Sequence, residues 1–322
     1  MSSSRRRRPA TAIAMAAVLM LAGCAASPHP QPSGPQPSGP LPAHTTPTAP
    51  APTETSATAS QPLSHVVIIV EENKPASSII GNPSAPYLNA LAREFASATD
   101  DNAITHPSLP NYLALTGGTT AGITTDCNPE GSCLARVPSI TTEIERSGRT
   151  WKMYAEGMPS PCDAHNSGRY AVRHNPFLYY PSITDDAPYC AAHNVPLTRL
   201  AADLASTATM PDYAFISPDL CDDMHDCSIA TGDRWLSRQV PAILSSPAFA
   251  SGRSLLVVTF DEGDRTSNTV PLIFAGSAAK RGYRSDRGYT HYSLLRTIER
   301  EWGLAPLTGN DAAATPMTDL LR

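Results

Sequence analysis

Ser108, in the run Ser108-Leu109-Pro110-Asn111-Tyr112, is the hydroxyl best placed to act as a nucleophile. Pro110 suits the first turn of a helix, which sets Ser108 at or beside that helix's N-cap. A serine there can simply cap the helix; the same position also offers free N–H groups and partial positive charge to a phosphate held against the hydroxyl. Two polar pairs stand at the ends of apolar runs, Glu72-Asn73 and Asp261-Glu262. One such end would read as a helix cap, but two delivered to one edge make a gathering point for a cation or for protons. Asp222-Asp223-Met224-His225-Asp226 packs three acids and an imidazole into five residues. His174-Asn175 follows Arg169 and Arg173 among Tyr170, Tyr179 and Tyr180, and reads equally as a phosphate-contacting loop or a polar loop packed on aromatics. His106 lies just before Ser108 and can line the same pocket, whereas His29, His44 and His193 have no supporting context. No Gly-x-Ser-x-Gly elbow and no glycine-rich nucleotide loop occur, and Asp261-Glu262-Gly263-Asp264 lacks the ligand spacing of an EF-hand.

These residues need a frame that brings distant stretches to one edge. His65–Val70, Ser254–Phe260 and Val270–Ala275 are apolar runs, the first continuously β-branched after His65, of the kind buried on both faces of a sheet. Helices are expected over Pro86–Ala96, Leu109–Leu115 and Tyr292–Trp302, with a glycine stop at Gly117-Gly118. Strands interleaved with helices predict an α/β fold: three layers, a mostly parallel sheet with helices on both faces. Ligands collect beyond the carboxyl ends of such strands, where both polar pairs fall.

The flanking composition sets the context. The chain has 322 residues, with 24 Lys+Arg against 29 Asp+Glu, and that balance excludes a strongly basic nucleic-acid binder. Arg5–Arg8, the apolar run Ala10–Leu21 and Leu21-Ala22-Gly23-Cys24 read as an export signal over residues 1–24. Its ending resembles a bacterial lipobox, in which Cys24 would be acylated; an ordinary secretory or twin-arginine signal is the plainer alternative. Residues 25–62 are rich in Pro, Ser and Thr, with Gln-Pro-Ser-Gly-Pro repeated at Gln31 and Gln36, and read as a semi-extended, disordered spacer. The catalytic domain is expected over 63–322. Its six cysteines suit an exported protein with three disulfides, and proximity suggests Cys127–Cys133, Cys162–Cys190 and Cys221–Cys227. A thiolate metal site ranks lower, since no Cys-x-x-Cys occurs.

Ser108-Leu109-Pro110-Asn111-Tyr112 resembles the nucleophile segment of the alkaline phosphatase superfamily. Val70-Glu71-Glu72-Asn73-Lys74, Arg173-His174-Asn175-Pro176, Ser217 to Cys227, Gly232-Asp233, Thr259 to Gly263 and Tyr289 to Glu299 resemble, in order, its branch of bacterial acid phosphatases and phospholipases C. The resemblance implies a divalent metal held by Glu72, Asn73, Asp261 and Glu262, with Ser108 as both ligand and nucleophile. It implies that Asp222, Asp223, His225, Asp226 and His291 form a second metal site or contact phosphate and leaving group, with His225 and His291 catalytic. The spacing from Asp222 to His225 departs from the superfamily's usual Asp-x-x-x-His. His106, Asn111, Arg173, His174 and Asn175 are the expected substrate contacts. Oxygen donors favour magnesium, calcium or manganese, and imidazoles admit zinc or iron, as one ion or two.

The function expected from these features is a metal-dependent hydrolase of phosphoric esters, first a phosphomonoesterase of acid-phosphatase type working through a phosphoserine. A phospholipase C-type phosphodiesterase is the alternative in the same class, and a non-catalytic surface lipoprotein binding module the alternative outside it. The expected partners are a phosphate ester and, through the lipid on Cys24, a membrane, with no nucleic acid. The expected location is the periplasm or cell surface, as an anchored or secreted protein.

Overall fold

A computed structural model describes residues 61–322 of the chain. The expected leader 1–24 with Cys24, and all but the last two residues of the spacer 25–62, lie outside the described residues. In chain order the main elements are β1 (Val66–Glu71), α1 (Pro86–Glu94), β2 (Ala96–Asn102), α2 (Ser108–Gly117), β3 (Trp151–Ala155), β4 (Asn194–Pro196) and β5 (Tyr213–Ser217). There follow α3 (Ile229–Leu244), β6 (Leu255–Phe260), β7 (Thr269–Ala275), β8 (Tyr283–Thr290) and α4 (His291–Trp302). The eight strands form one sheet in the order β4-β3-β5-β1-β6-β7-β2-β8. All pairings are parallel except the two made by β7, which runs against β6 and β2.

Sequence accounts for this arrangement at the centre. β1 and β6 are buried at every position, so both faces of the middle sheet are covered and Val, Ile and Leu fill them. α2 packs on α4, and α1 packs on α3, giving two separate helical layers. The Asp233 carboxylate in α3 fixes one of these pairs by accepting N–H bonds from Tyr87 (3.0 Å) and Leu88 (2.8 Å) in the first turn of α1. α3 begins close against the 222–224 loop. A Cβ at Gly232 would lie 2.7 Å from the Asp222 carbonyl and 2.4 Å from Met224, so only glycine fits that approach. α2 ends at Gly118 in the left-handed conformation, as its glycine pair predicts. The pairs Cys127–Cys133, Cys162–Cys190 and Cys221–Cys227 are present. Among the described residues no helix is long and apolar enough to cross a membrane.

Candidate active site

β1 and β6 lie side by side and end level, so the segments that leave them meet: the Asp261 N–H donates to the Glu71 carbonyl (3.0 Å). Asn73 then turns the chain with φ 52°, a left-handed conformation that asparagine tolerates. That turn aims the Asn73 N–H at Asp261 Oδ1, 3.1 Å away. Ser108 is the first residue of α2, after Pro107 at the N-cap, and its hydroxyl donates to Glu72 Oε2 at 3.1 Å. Tyr112, one turn further along α2, donates its hydroxyl to Glu72 Oε1. Four of the expected residues, Glu72, Asn73, Ser108 and Asp261, therefore converge at the carboxyl edge, with Ser108 only 2 % exposed.

His174 enters from the other side. Its ring stacks on Tyr112 and spans two acids, with Nε2 3.4 Å from Glu72 Oε1 and Nδ1 3.3 Å from Asp223 Oδ2. Glu72, His174 and Asp223 bring one ligand atom each within 4.8 Å of one another, a spacing suited to a shared metal ion. Asp223 is anchored by the His225 N–H on Oδ1 (2.7 Å). The backbones are stitched as well, since the Glu72 N–H donates to the Asp223 carbonyl at 2.8 Å.

The remaining expected residues divide between mouth and foundation. At the mouth stand His225, Arg173 and His106. His225 is held by Asp226 through Nδ1 (2.7 Å), and its Nε2 lies 3.4 Å from the Arg173 guanidinium. His106 Nδ1 sits 2.9 Å from Glu262 Oε2. Glu262 also accepts from Asn111 Nδ2 (3.3 Å), so its carboxylate faces His106 and Asn111. The foundation holds Asn111, Asn175 and His291. Asn111 accepts the N–H groups of Ile104 and Thr105 and donates to the carbonyls of Thr105 and Pro107, which fixes the loop ahead of Ser108. Asn175 exchanges two 2.8 Å amide bonds with Asn194 and is fully buried. His291, placed at the start of α4 by a Thr290–Ser293 capping box, lies with Nε2 2.5 Å from the Asp261 carbonyl and braces that segment. Asp222 turns away from this group toward Glu156 and Asp219.

Two residues here have no role assigned from the sequence. Tyr112 lies four positions after Ser108, a spacing that places both on one helical face. Asp126, an isolated acid in a loop, accepts the Leu109 N–H (2.9 Å) and pairs with Arg173 at 3.8 Å, so the mouth of α2 is not bare as expected. Nothing local marks it.

Electrostatics describe what the site would hold. Burial, with the charges of Asp261 and Asp223, raises Glu72 well above the usual carboxylate range. Burial likewise lifts Asp223 to about 8, Asp261 to about 6 and Glu262 to about 8. His174 is held neutral by burial and by the neighbouring Arg173 and His225. Burial also lowers His291 to about 4. Asn73 Oδ1, Asp261 Oδ2, Asp223 Oδ2 and His174 Nε2 are buried without hydrogen-bond partners. Orphaned lone pairs on acids that repel one another are what a divalent cation would satisfy, and the mixed oxygen and imidazole donors fit one. With a serine hydroxyl against them, they fit displacement at phosphorus.

Residues 82–305 match the model of the Phosphoesterase family. A phosphatidylinositol-3-phosphatase of Mycobacterium tuberculosis is 37% identical over 273 residues, covering 82% of this chain and 85% of that protein. A phosphate-repressible acid phosphatase of Penicillium chrysogenum is 32% identical over 70% of this chain, and the match spans 57% of the fungal protein. Among solved structures, a protein of the alkaline phosphatase superfamily from Vibrio parahaemolyticus superposes with a TM-score of 0.55 at 12% identity, over 79% of this chain and 71% of the other.

Proposed function

This chain belongs to the phosphoesterase family and is a phosphoric ester hydrolase, and we propose that it is a metal-dependent phosphomonoesterase of acid-phosphatase type acting through Ser108. The observation that carries the proposal is the 3.1 Å contact of the Ser108 hydroxyl with Glu72 Oε2, beside Asp261 and at the start of α2. Glu72 Oε2 is the atom placed to take the hydroxyl proton, and Tyr112 holds that carboxylate in position through Oε1. As the Ser108 oxygen–phosphorus bond forms and the ester oxygen–phosphorus bond breaks, the leaving oxygen takes a proton; His225 at the mouth is the group placed to supply it. Arg173 and His106 meet the phosphate oxygens. Water then attacks the phosphoserine, releasing phosphate and restoring the hydroxyl.

Glu72, Asp223 and His174, with Asn73 and Asp261, would hold the divalent ion, and Glu262 stands at its border. When bound, such an ion supplies positive charge to the phosphate oxygens and favours the ionised serine. The names of both curated relatives support a monoester over the diester of a phospholipase C. The mycobacterial relative makes a phosphoinositide monophosphate the first lipid substrate to try. Export with a lipid at Cys24 completes the proposal, supported by three disulfides in the domain, and the mass of the mature N-terminus tests it.

The decisive experiment compares hydrolysis of a chromogenic phosphate monoester and of phosphatidylcholine, with and without chelator. The expected result is chelator-sensitive monoester hydrolysis, with a phosphoserine trapped at Ser108 on acid quench. Equal rates for the wild type and Ser108→Ala would overturn the proposal.

A further inference from the structure

A second acidic group lies at the same sheet edge on the other face. The adjacent strands β3, β5 and β1 end at Glu156, Asp219 and Glu71, since Glu156 follows β3 directly and Asp219 stands two residues beyond β5. Their main chains run together, with the Glu156 N–H donating to the Ser217 carbonyl at 3.0 Å. Asp222 joins them from the loop closed by Cys221–Cys227. Glu156, Asp219 and Asp222 each bring one carboxylate oxygen within 4.8 Å of the others.

An acidic group alone is no site, but Glu71 adds an independent observation. Its side chain is fully buried, and neither carboxylate oxygen has a hydrogen-bond partner. The charges acting on it are those of Asp223, Asp222, Glu156 and Asp233, whereas Glu72 next door answers first to Asp261 and Asp223. Strand register sets its facing: Glu71 and Glu156 each stand two residues past a partner of Ile216 (Ile69 and Tyr154), so pleat alternation puts both on one face, opposite the Ser217 hydroxyl that donates to the His174 carbonyl. The same side is marked by Trp235 of α3, whose indole N–H donates to Glu156 Oε1 at 3.1 Å. Among the described residues, no lysine, arginine or histidine makes an ion pair with Glu71, Glu156, Asp219 or Asp222. Arg169, Arg234 and Arg238 offset charge at Asp222, the outermost member.

We propose that Glu71, Glu156, Asp219 and Asp222 form a second cation site, behind the sheet edge from Ser108, that takes a calcium-type divalent ion. Every donor is a carboxylate oxygen, which selects a hard cation; the number of carboxylates exceeds the one or two with which magnesium usually makes do. A groove of about 560 Å3 lined by Glu156, Met158, Leu197 and Leu200 opens beside one of the four acids. The site carries no nucleophile or imidazole, so its ion ties together three strand ends and the disulfide loop that supplies Asp223 and His225. The inference does not depend on the phosphatase reading.

Terbium luminescence sensitised by Trp235 tests it. Terbium is titrated into the full chain carrying Asp261→Asn, which disables the catalytic face, with excitation at the red edge of the indole band. The expected result is saturable emission that calcium displaces, with terbium affinity at least roughly 10-fold weaker once Glu156→Gln or Asp222→Asn is added. Calcium should also raise the melting temperature of the Asp261→Asn protein and not that of Asp261→Asn/Glu156→Gln, with near-UV circular dichroism confirming that both are folded. Absence of saturable emission would overturn the proposal. So would emission unchanged by both Glu156→Gln and Asp222→Asn, or emission abolished by Glu72→Gln instead.

Discussion

Glu71 and Glu72 are neighbours in the chain, as are Asp222 and Asp223, yet the sheet divides each pair between its two faces. On the α2 face, Glu72 and Asp223 meet Ser108, Tyr112 and His174. On the α3 face, Asp222 meets Glu156 and Asp219, with an indole and backbone N–H groups as the donors around them, and the Glu71 carboxylate is buried on the same face without a hydrogen-bond partner. Both groups hold crowded acids, so crowding does not distinguish them. The difference lies in what stands against the acids: a serine hydroxyl and an imidazole on one side, an indole and backbone N–H groups on the other. Under the two proposals, the first set moves protons and forms a bond to phosphorus, while the second, which lacks a hydroxyl and an imidazole, only binds a cation.

Substitutions can break or sharpen this contrast. Ser108→Ala should lower kcat for monoester hydrolysis by about 10³-fold or more while leaving the fold intact. A comparable loss in Glu156→Gln would erase the distinction between the faces. Glu72→Gln should reduce turnover by about 10²-fold or more and strip bound metal, as elemental analysis of the purified protein would show. Tyr112→Phe removes only a hydroxyl that orients Glu72, and is expected to weaken metal affinity or activity by roughly 10- to 100-fold. Activity restored by excess metal would identify that loss as one of orientation.

The smallest effect on turnover comes from a buried acid outside both groups. Asp101 in β2 is fully buried with no hydrogen-bond partner, and burial, with the charge of Asp100 added, pushes its carboxyl up to about 7. Its charged form is disfavoured in the fold. The protein is therefore undisturbed by this group below about pH 4, loses stability as pH rises toward 7, and bears the full penalty above that. Asp101→Asn should stabilise the domain at pH 8 by on the order of 2–4 kcal/mol and change little at pH 4, by denaturant unfolding at the two pH values. Equal gains at both would show that the carboxylate is not the cause.

The strands legible in the sequence were those whose side chains alone specify them. β1, β6 and β7 are continuous apolar runs, and the structure begins and ends them within a residue or two of expectation. β2 (Ala-Ser-Ala-Thr-Asp-Asp-Asn) and β8 (Tyr-Arg-Ser-Asp-Arg-Gly-Tyr-Thr) have no such run. They owe their form to ladder bonds with neighbours far along the chain, a tertiary cause that local pattern cannot carry. The site follows the same rule. Glu72, Asn73, Ser108 and Asp261 announce themselves at strand ends and a helix start. His174 was visible as a polar residue near a phosphate, but its place between Glu72 and Asp223 depends on a loop path that no periodicity encodes. Nothing in the local pattern separates Glu71 from Glu72, because the facing of each is set by the alternation of β1.

That alternation makes β1 unforgiving of odd-numbered change. Inserting or deleting a single residue in Val66–Val70 would rotate the strand's end by half a turn, presenting Glu71's position to Ser108 and Glu72's to Trp235. Both grips would loosen together, so lengthening or trimming this strand is tolerable only two residues at a time.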